Sequence, residues 1–222
     1  QFLAKELNTS GAIMITASHN PEEWNGLKFI DSDGCFIDKD KNKKLIHNID
    51  TNLIFPKANK SGKITDTRKS ISLFIEALLK LDFIDISNIK NRNFKVVVDT
   101  VNGANYYILP YLLKKLNCDV VELFCDSSGI FDRNPEPTPE NLNLLSRTVI
   151  KEKADLGLAS DPDGDRLSIV DNKGNAIGEE NTLVLCADSY YDEKKLNSPL
   201  VTNLSSSMCL DFIASKHNIP IF

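Results

Sequence analysis

Between residues 94 and 124 the chain passes from one apolar stretch to another through a helical stretch, and no other feature restricts its fold as tightly. Val96, Val97 and Val98 fall in a β-branched run over 94–98, and the polar turn Asp99-Thr100-Val101-Asn102-Gly103 follows. Apolar spacing then predicts a helix over 106–116 and a second strand over 119–124. Strand, helix and strand in that order form a βαβ unit, with a parallel strand pair and a right-handed crossover. An α/β fold is therefore expected.

The surrounding segments extend this pattern. Upstream, 11–16 reads as a short buried strand leading into the polar loop Ala17-Ser18-His19-Asn20-Pro21, and 27–30 with 35–37 reads as a β-hairpin around Asp31-Ser32-Asp33-Gly34. Residues 38–70 are polar and Lys-rich, expected as loop and weak helix, whereas 70–81 has helical spacing and is expected to bridge two domains. Downstream, the three prolines of Asn134-Pro135-Glu136-Pro137-Thr138-Pro139 fix φ and remove donors, so that run is extended. A helix to about Lys153, a strand over 156–159, a strand over 167–170 and a turn at 172–175 follow. The last expected elements are a helix over 180–190, a strand over 200–203 and a helix over 206–216.

Composition removes several function classes. At 222 residues and 41% hydrophobic content the chain can bury a core, and its net charge of −5 argues against nucleic acid, whose phosphates need a basic surface. No run approaches the ~20 apolar residues that span a bilayer, and no membrane partner is expected. The five cysteines form no Cys-x-x-Cys pair, so neither zinc nor a disulfide framework is indicated and a cytoplasmic location fits. Asn8-Thr9-Ser10 and Asn203-Leu204-Ser205 match the glycosylation sequon by coincidence, with no secretory pattern beside them.

Chemistry concentrates in two places. Asp161, Asp163 and Asp165 alternate along the chain, so their carboxylates leave one side of an extended backbone, and Gly164 permits the bend that makes them converge. Three hard anionic oxygens suit Mg²⁺, which keeps further positions for water or phosphate, and Arg166 beside them can steer a substrate or pair with a carboxylate. A plain acidic turn is the alternative at this point; a calcium EF-hand fails, because Arg166 and Asn172 stand where its Gly and Glu are required. Ser18 offers a hydroxyl in a loop with His19, Asn20 and Lys28 near it, which alone is also compatible with an ordinary turn. No Gly-x-Ser-x-Gly elbow supports a hydrolase, and His47 and His217 are expected to be ordinary surface residues.

Together the two motifs are more specific. Thr16-Ala17-Ser18-His19-Asn20-Pro21 with Asn25-Gly26-Leu27-Lys28, followed far downstream by Asp161-Pro162-Asp163-Gly164-Asp165-Arg166, resembles the signature pair of the α-D-phosphohexomutases. The turn at 98–104, the Pro-Glu-Pro run and Ser206-Ser207 before a helix add to the likeness, which spans nearly the whole chain.

The resemblance implies consecutive mixed-sheet α/β domains, with the first and third incomplete: 1–72 with the phosphoserine loop, 73–177 with the metal loop, and 178–222 as the start of a third. Ser18 would carry the transferable phosphate and also bind the metal, Asp161, Asp163 and Asp165 would hold Mg²⁺, Arg166 would lie near the reacting phosphate, and Lys28 or His19 would handle a proton. Ser18 and the aspartates are expected to meet across a domain boundary. The implied partners are a hexose phosphate and its 1,6-bisphosphate, with glucosamine, mannose and glucose phosphates all open. A non-catalytic Mg²⁺- or phosphate-binding relative and a metal-dependent phosphatase are the alternatives. Because the sugar-selecting loop, and the fourth domain that binds the substrate phosphate, are expected to be missing, this chain alone is expected to be inactive.

Overall fold

The computed structural model describes residues 1–51, 62–67, 70–194 and 197–222. It divides into two compact units, Gln1–Ala17 with Asn25–Lys80, and Ser18–Trp24 with Leu81–Phe222. The first unit contains α1 (Phe2–Glu6), β1 (Gly11–Ile15), β2 (Leu27–Asp31), α2 (Lys39–Asp50) and α3 (Ile71–Leu78). In the second are α4 (Ile86–Arg92), β3 (Lys95–Asp99), α5 (Ile108–Lys115), β4 (Asp119–Leu123), a 3₁₀ turn (Pro139–Asn141), α6 (Asn143–Glu152), β5 (Leu156–Ser160), β6 (Leu167–Asp171), α7 (Glu179–Lys194) and α8 (Cys209–His217).

The expected βαβ unit is present, and β3 shows what holds it. Successive strand side chains face opposite ways. Val97 accordingly packs with Leu142, Leu145 and Val149 on the α6 side, while Val96 and Val98 pack with Leu113 of α5. All three valines are buried, each contributing roughly 1.5–3 kcal/mol of transfer free energy before entropy is counted. The sheet runs β4-β3-β5-β6; β3 is parallel to β4 and β5, and β6 is antiparallel to β5. A mixed sheet covered on both faces results, and the β5–β6 connection leaves its edge at Asp161.

In the first unit β1 and β2 form an antiparallel pair from Gly11↔Asp31 to Ile15↔Leu27. The expected hairpin survives as a single bridge, Ile30↔Phe36, because β2 spends its pairing on β1. The polar stretch after residue 38 is more regular than expected. Asp38 accepts from the amides of Asp40 and Lys41 at 2.9 and 2.8 Å, and this cap starts the twelve-residue α2; 52–61 and 68–69 lie outside the described residues. Helix α3 buries Ile75 and sets Phe74 against Phe2, with ring centroids 5.5 Å apart.

Three further differences lie in the second unit. Helix α4, absent from the expected elements, is started by Asp85, which accepts from the Asn88 amide at 2.9 Å. The expected strand at 200–203 is one parallel bridge, Leu200↔Ile221, and the chain turns at Asn203, whose carbonyl accepts from the Ser206 amide at 3.1 Å and whose Oδ1 accepts from the Ser205 amide at 2.9 Å. His217 is a largely buried residue and not an ordinary surface one: its Nε2 lies 2.7 Å from Asp188 Oδ1 on α7. Lys216 bridges Asp188 and Asp192 at 2.7 and 3.3 Å, and these partners lower the Asp188 pKa. That acidic cluster therefore already contains its cation. Among the described residues no helix is long and apolar enough to cross a membrane.

Candidate metal centre

The loop between β5 and β6 is shaped by its first residue. Asp161 Oδ1 accepts from the amides of Gly164 and Arg166, both at 3.1 Å, which folds the loop back over its own start. Gly164 has φ +74°, where a side chain is strained, and the space a Cβ would take is filled by the Asn105 amide. From the other side the 99–105 turn closes in: a Cβ on Gly103 would fall 2.5 Å from the Pro162 carbonyl oxygen, and Ala104 N donates to that oxygen at 2.7 Å. Asp161, Asp163 and Asp165 each present a carboxylate oxygen within 4.8 Å of the others.

Exposure grades across the three, from buried Asp161 through half-buried Asp163 to exposed Asp165. Burial raises the Asp161 pKa to about 7, and the neighbouring charges of Asp163 and Asp165 add to the rise against the Arg166 amide bond, which opposes it. Asp161 Oδ2 has no hydrogen-bond partner among the described residues. An orphaned buried oxygen, set among converging carboxylates, is the donor set a hard divalent cation needs, so the residues present fit Mg²⁺.

Arg166 faces carboxylates as well: its Nη1 lies 3.1 Å from Glu136 Oε1 and 3.5 Å from Glu179 Oε2. Glu136 sits in the extended proline-rich run, where its amide donates to Asn134 Oδ1 at 3.1 Å. The same Glu136 Oε1 lies 4.0 Å from His19 Nε2. Ser18, with φ +57°, holds its Oγ 3.3 Å from His19 Nδ1. The Ser18–Trp24 segment is packed with the unit that contains the aspartates, so His19 and Arg166 converge on one carboxylate oxygen. Lys28 is on β2 in the first unit, in register with Met14.

Glu136, Glu179 and Asn105 were not singled out from the sequence as site residues. For Glu136 the available signal was its place in the proline-rich run, which fixes the backbone but does not say what the carboxylate meets.

Residues 1–53 match the family model for phosphoglucomutase/phosphomannomutase α/β/α domain I, and residues 72–174 match the model for α/β/α domain II. The chain belongs to the α-D-phosphohexomutase superfamily. Among its relatives, a phosphoglucomutase/phosphomannomutase of Thermococcus kodakarensis is 37% identical over 224 residues, covering 100% of this chain and 48% of that protein. A probable phosphoglucosamine mutase of Methanopyrus kandleri is 35% identical, covering 92% of this chain and 44% of that protein. The crystal structure of a phosphoglucomutase/phosphomannomutase family protein from Burkholderia thailandensis superposes with a TM-score of 0.77 at 28% identity, over 96% of this chain and 44% of that one. The chain thus spans about half the length of the curated relatives it matches.

Proposed function

We propose that this chain carries the phosphoryl-transfer centre of a phosphosugar mutase. The convergence of His19 and Arg166 on Glu136 Oε1 supports this reading most directly, because it links the neighbour of Ser18 to the neighbour of Asp165 through one carboxylate. In this reading Asp161, Asp163 and Asp165 would hold Mg²⁺, with Ser18 as a further ligand. When bound, the ion supplies charge neutralisation on the phosphoryl oxygens.

The chain's own residues do the rest. A free hydroxyl of a hexose phosphate attacks the phosphorus on Ser18; the new O–P bond forms as the Ser18 Oγ–P bond breaks, and the hydroxyl proton passes to Lys28 or His19. Arg166 orients the phosphoryl group. After the bisphosphate turns over, Ser18 Oγ attacks the other phosphate; the new Oγ–P bond forms as the sugar O–P bond breaks, the base returns its proton to the released sugar oxygen, and the net change moves phosphate between C6 and C1. Residues 1–72 then form the phosphoserine part, 73–177 the metal part and 178–222 the start of a third. The five free cysteines fit a reducing cytoplasm. The relatives' names support a glucosamine, mannose or glucose phosphate as the substrate.

The test is a coupled assay of the whole protein with each hexose 1-phosphate, alongside phosphate release from the same substrates. Conversion to the 6-phosphate supports the mutase; phosphate release without isomerisation would establish a phosphatase, and neither activity would indicate a binding relative.

A further inference from the structure

Arg133 is 8% exposed and its partner Asp99 1%. Its Nε donates to Asp99 Oδ2 at 2.8 Å, its Nη2 to the Ser160 carbonyl at 2.8 Å, and its Nη1 to the carbonyls of Asn134 and Pro135 at 2.8 and 3.2 Å. One planar fork therefore ties three separate segments: the end of β3, the end of β5 and the proline-rich run. The attachment points are specific. Ser160 immediately precedes Asp161, and Pro135 immediately precedes Glu136. Asp99, in turn, accepts from the Val101 amide at 2.9 Å, which opens the turn whose Gly103 and Ala104 lie against Pro162.

We infer that Arg133 is a positioning residue that fixes the Asp161 carboxylate relative to Glu136, so that the metal loop and the carboxylate holding Arg166 are set by one buried cation. The inference rests on the reading of the three aspartates as a magnesium site. Lysine could supply the charge, but a single ammonium cannot span the three segments as a guanidinium does. Groups that orient ligands from behind cost ~10–100-fold in metal affinity when changed.

The experiment compares Mg²⁺ affinity by calorimetry and thermal midpoint by scanning calorimetry, in the wild-type protein and Arg133→Lys. The expected result is a loss of about 10–100-fold in affinity with the folded state retained. An affinity within about twofold of wild type, whatever happens to the midpoint, would reduce Arg133 to a structural residue and overturn the inference. Should Arg133→Lys fail to fold, the double variant Asp99→Asn/Arg133→Met, which removes both buried charges, is judged by the same criterion.

Hydrogen exchange on the wild type needs no variant. Mg²⁺ should slow exchange at the Asn134 and Glu136 amides together with those of the aspartate loop, and protection confined to that loop would overturn the coupling. A wild-type protein that binds no Mg²⁺ would remove the metal reading, and this inference with it, before any variant is compared.

Discussion

The guanidinium of Arg166 donates to Glu136 across 3.1 Å, so the cation beside the three aspartates is engaged by a carboxylate before any phosphate arrives. In the proposed reading a phosphate would share the Arg166 guanidinium with Glu136. Glu136→Gln should therefore tighten binding of a hexose 6-phosphate severalfold by calorimetry, with a stability change within ~1 kcal/mol because the pair is partly exposed. Weaker binding would mean that Glu136 contacts the sugar or helps hold Arg166 in its working position.

Asp163→Asn removes one of three charges that offset partial dehydration of the ion. Mg²⁺ affinity should fall by at least about tenfold in a calorimetric titration. Equal affinities would return the loop to the status of an acidic turn.

The raised pKa of Asp161 sets a pH dependence with a definite sign. A carboxylic acid that holds its proton up to about 7 in the folded chain, against 3.8 ordinarily, favours folding most at low pH, and that contribution is lost as the pH rises from about 4 to 7. In the proposed reading metal binding displaces the same proton. At pH 6 Mg²⁺ uptake should release about one proton, and affinity should climb toward pH 7.5. Calorimetry in buffers of different ionisation enthalpy measures the proton count directly, and no proton release at pH 6 would show that Asp161 is already ionised.

The 222-residue chain alone is expected to bind Mg²⁺ yet turn over hexose phosphates poorly. In the proposed reading magnesium would need only the local loop at 161–165, whereas a bisphosphate held in two orientations would need grip at its distal end, and positioning can supply ~7–11 kcal/mol of barrier lowering. The loss should appear in kcat as well as KM, because remote binding energy drives the reacting centre. Turnover by this chain equal to that of a relative twice its length, in the coupled assay, would contradict this division of labour.

Local patterns explain what could be read in advance. The valine run of β3 and the spacing of α5 and β4 carry their own signal, and Asp161, Asp163 and Asp165 are close in sequence as well as in space. What stayed hidden depends on partners distant in sequence. Glu136 meets Arg166 thirty positions away and Arg133 meets Asp99 thirty-four away, and no periodicity encodes such a pairing. Helices α2 and α4 were obscured for a different reason: their caps, Asp38 and Asp85, stand in polar stretches whose composition is equally that of a loop. His217 resembled a surface residue because the Asp188 carboxylate that receives it lies on another helix.

The central claim is that Ser18 carries the transferable phosphate beside the aspartate loop, and intact-mass measurement after exposure to a hexose 1,6-bisphosphate and Mg²⁺ tests it most directly. The wild-type protein should gain one phosphate, mapped to Ser18 by fragmentation, while Ser18→Ala gains none and keeps its stability within ~0.5 kcal/mol, as expected for a loop hydroxyl. A phosphate gained equally by Ser18→Ala, or none gained by the wild type, would contradict the account.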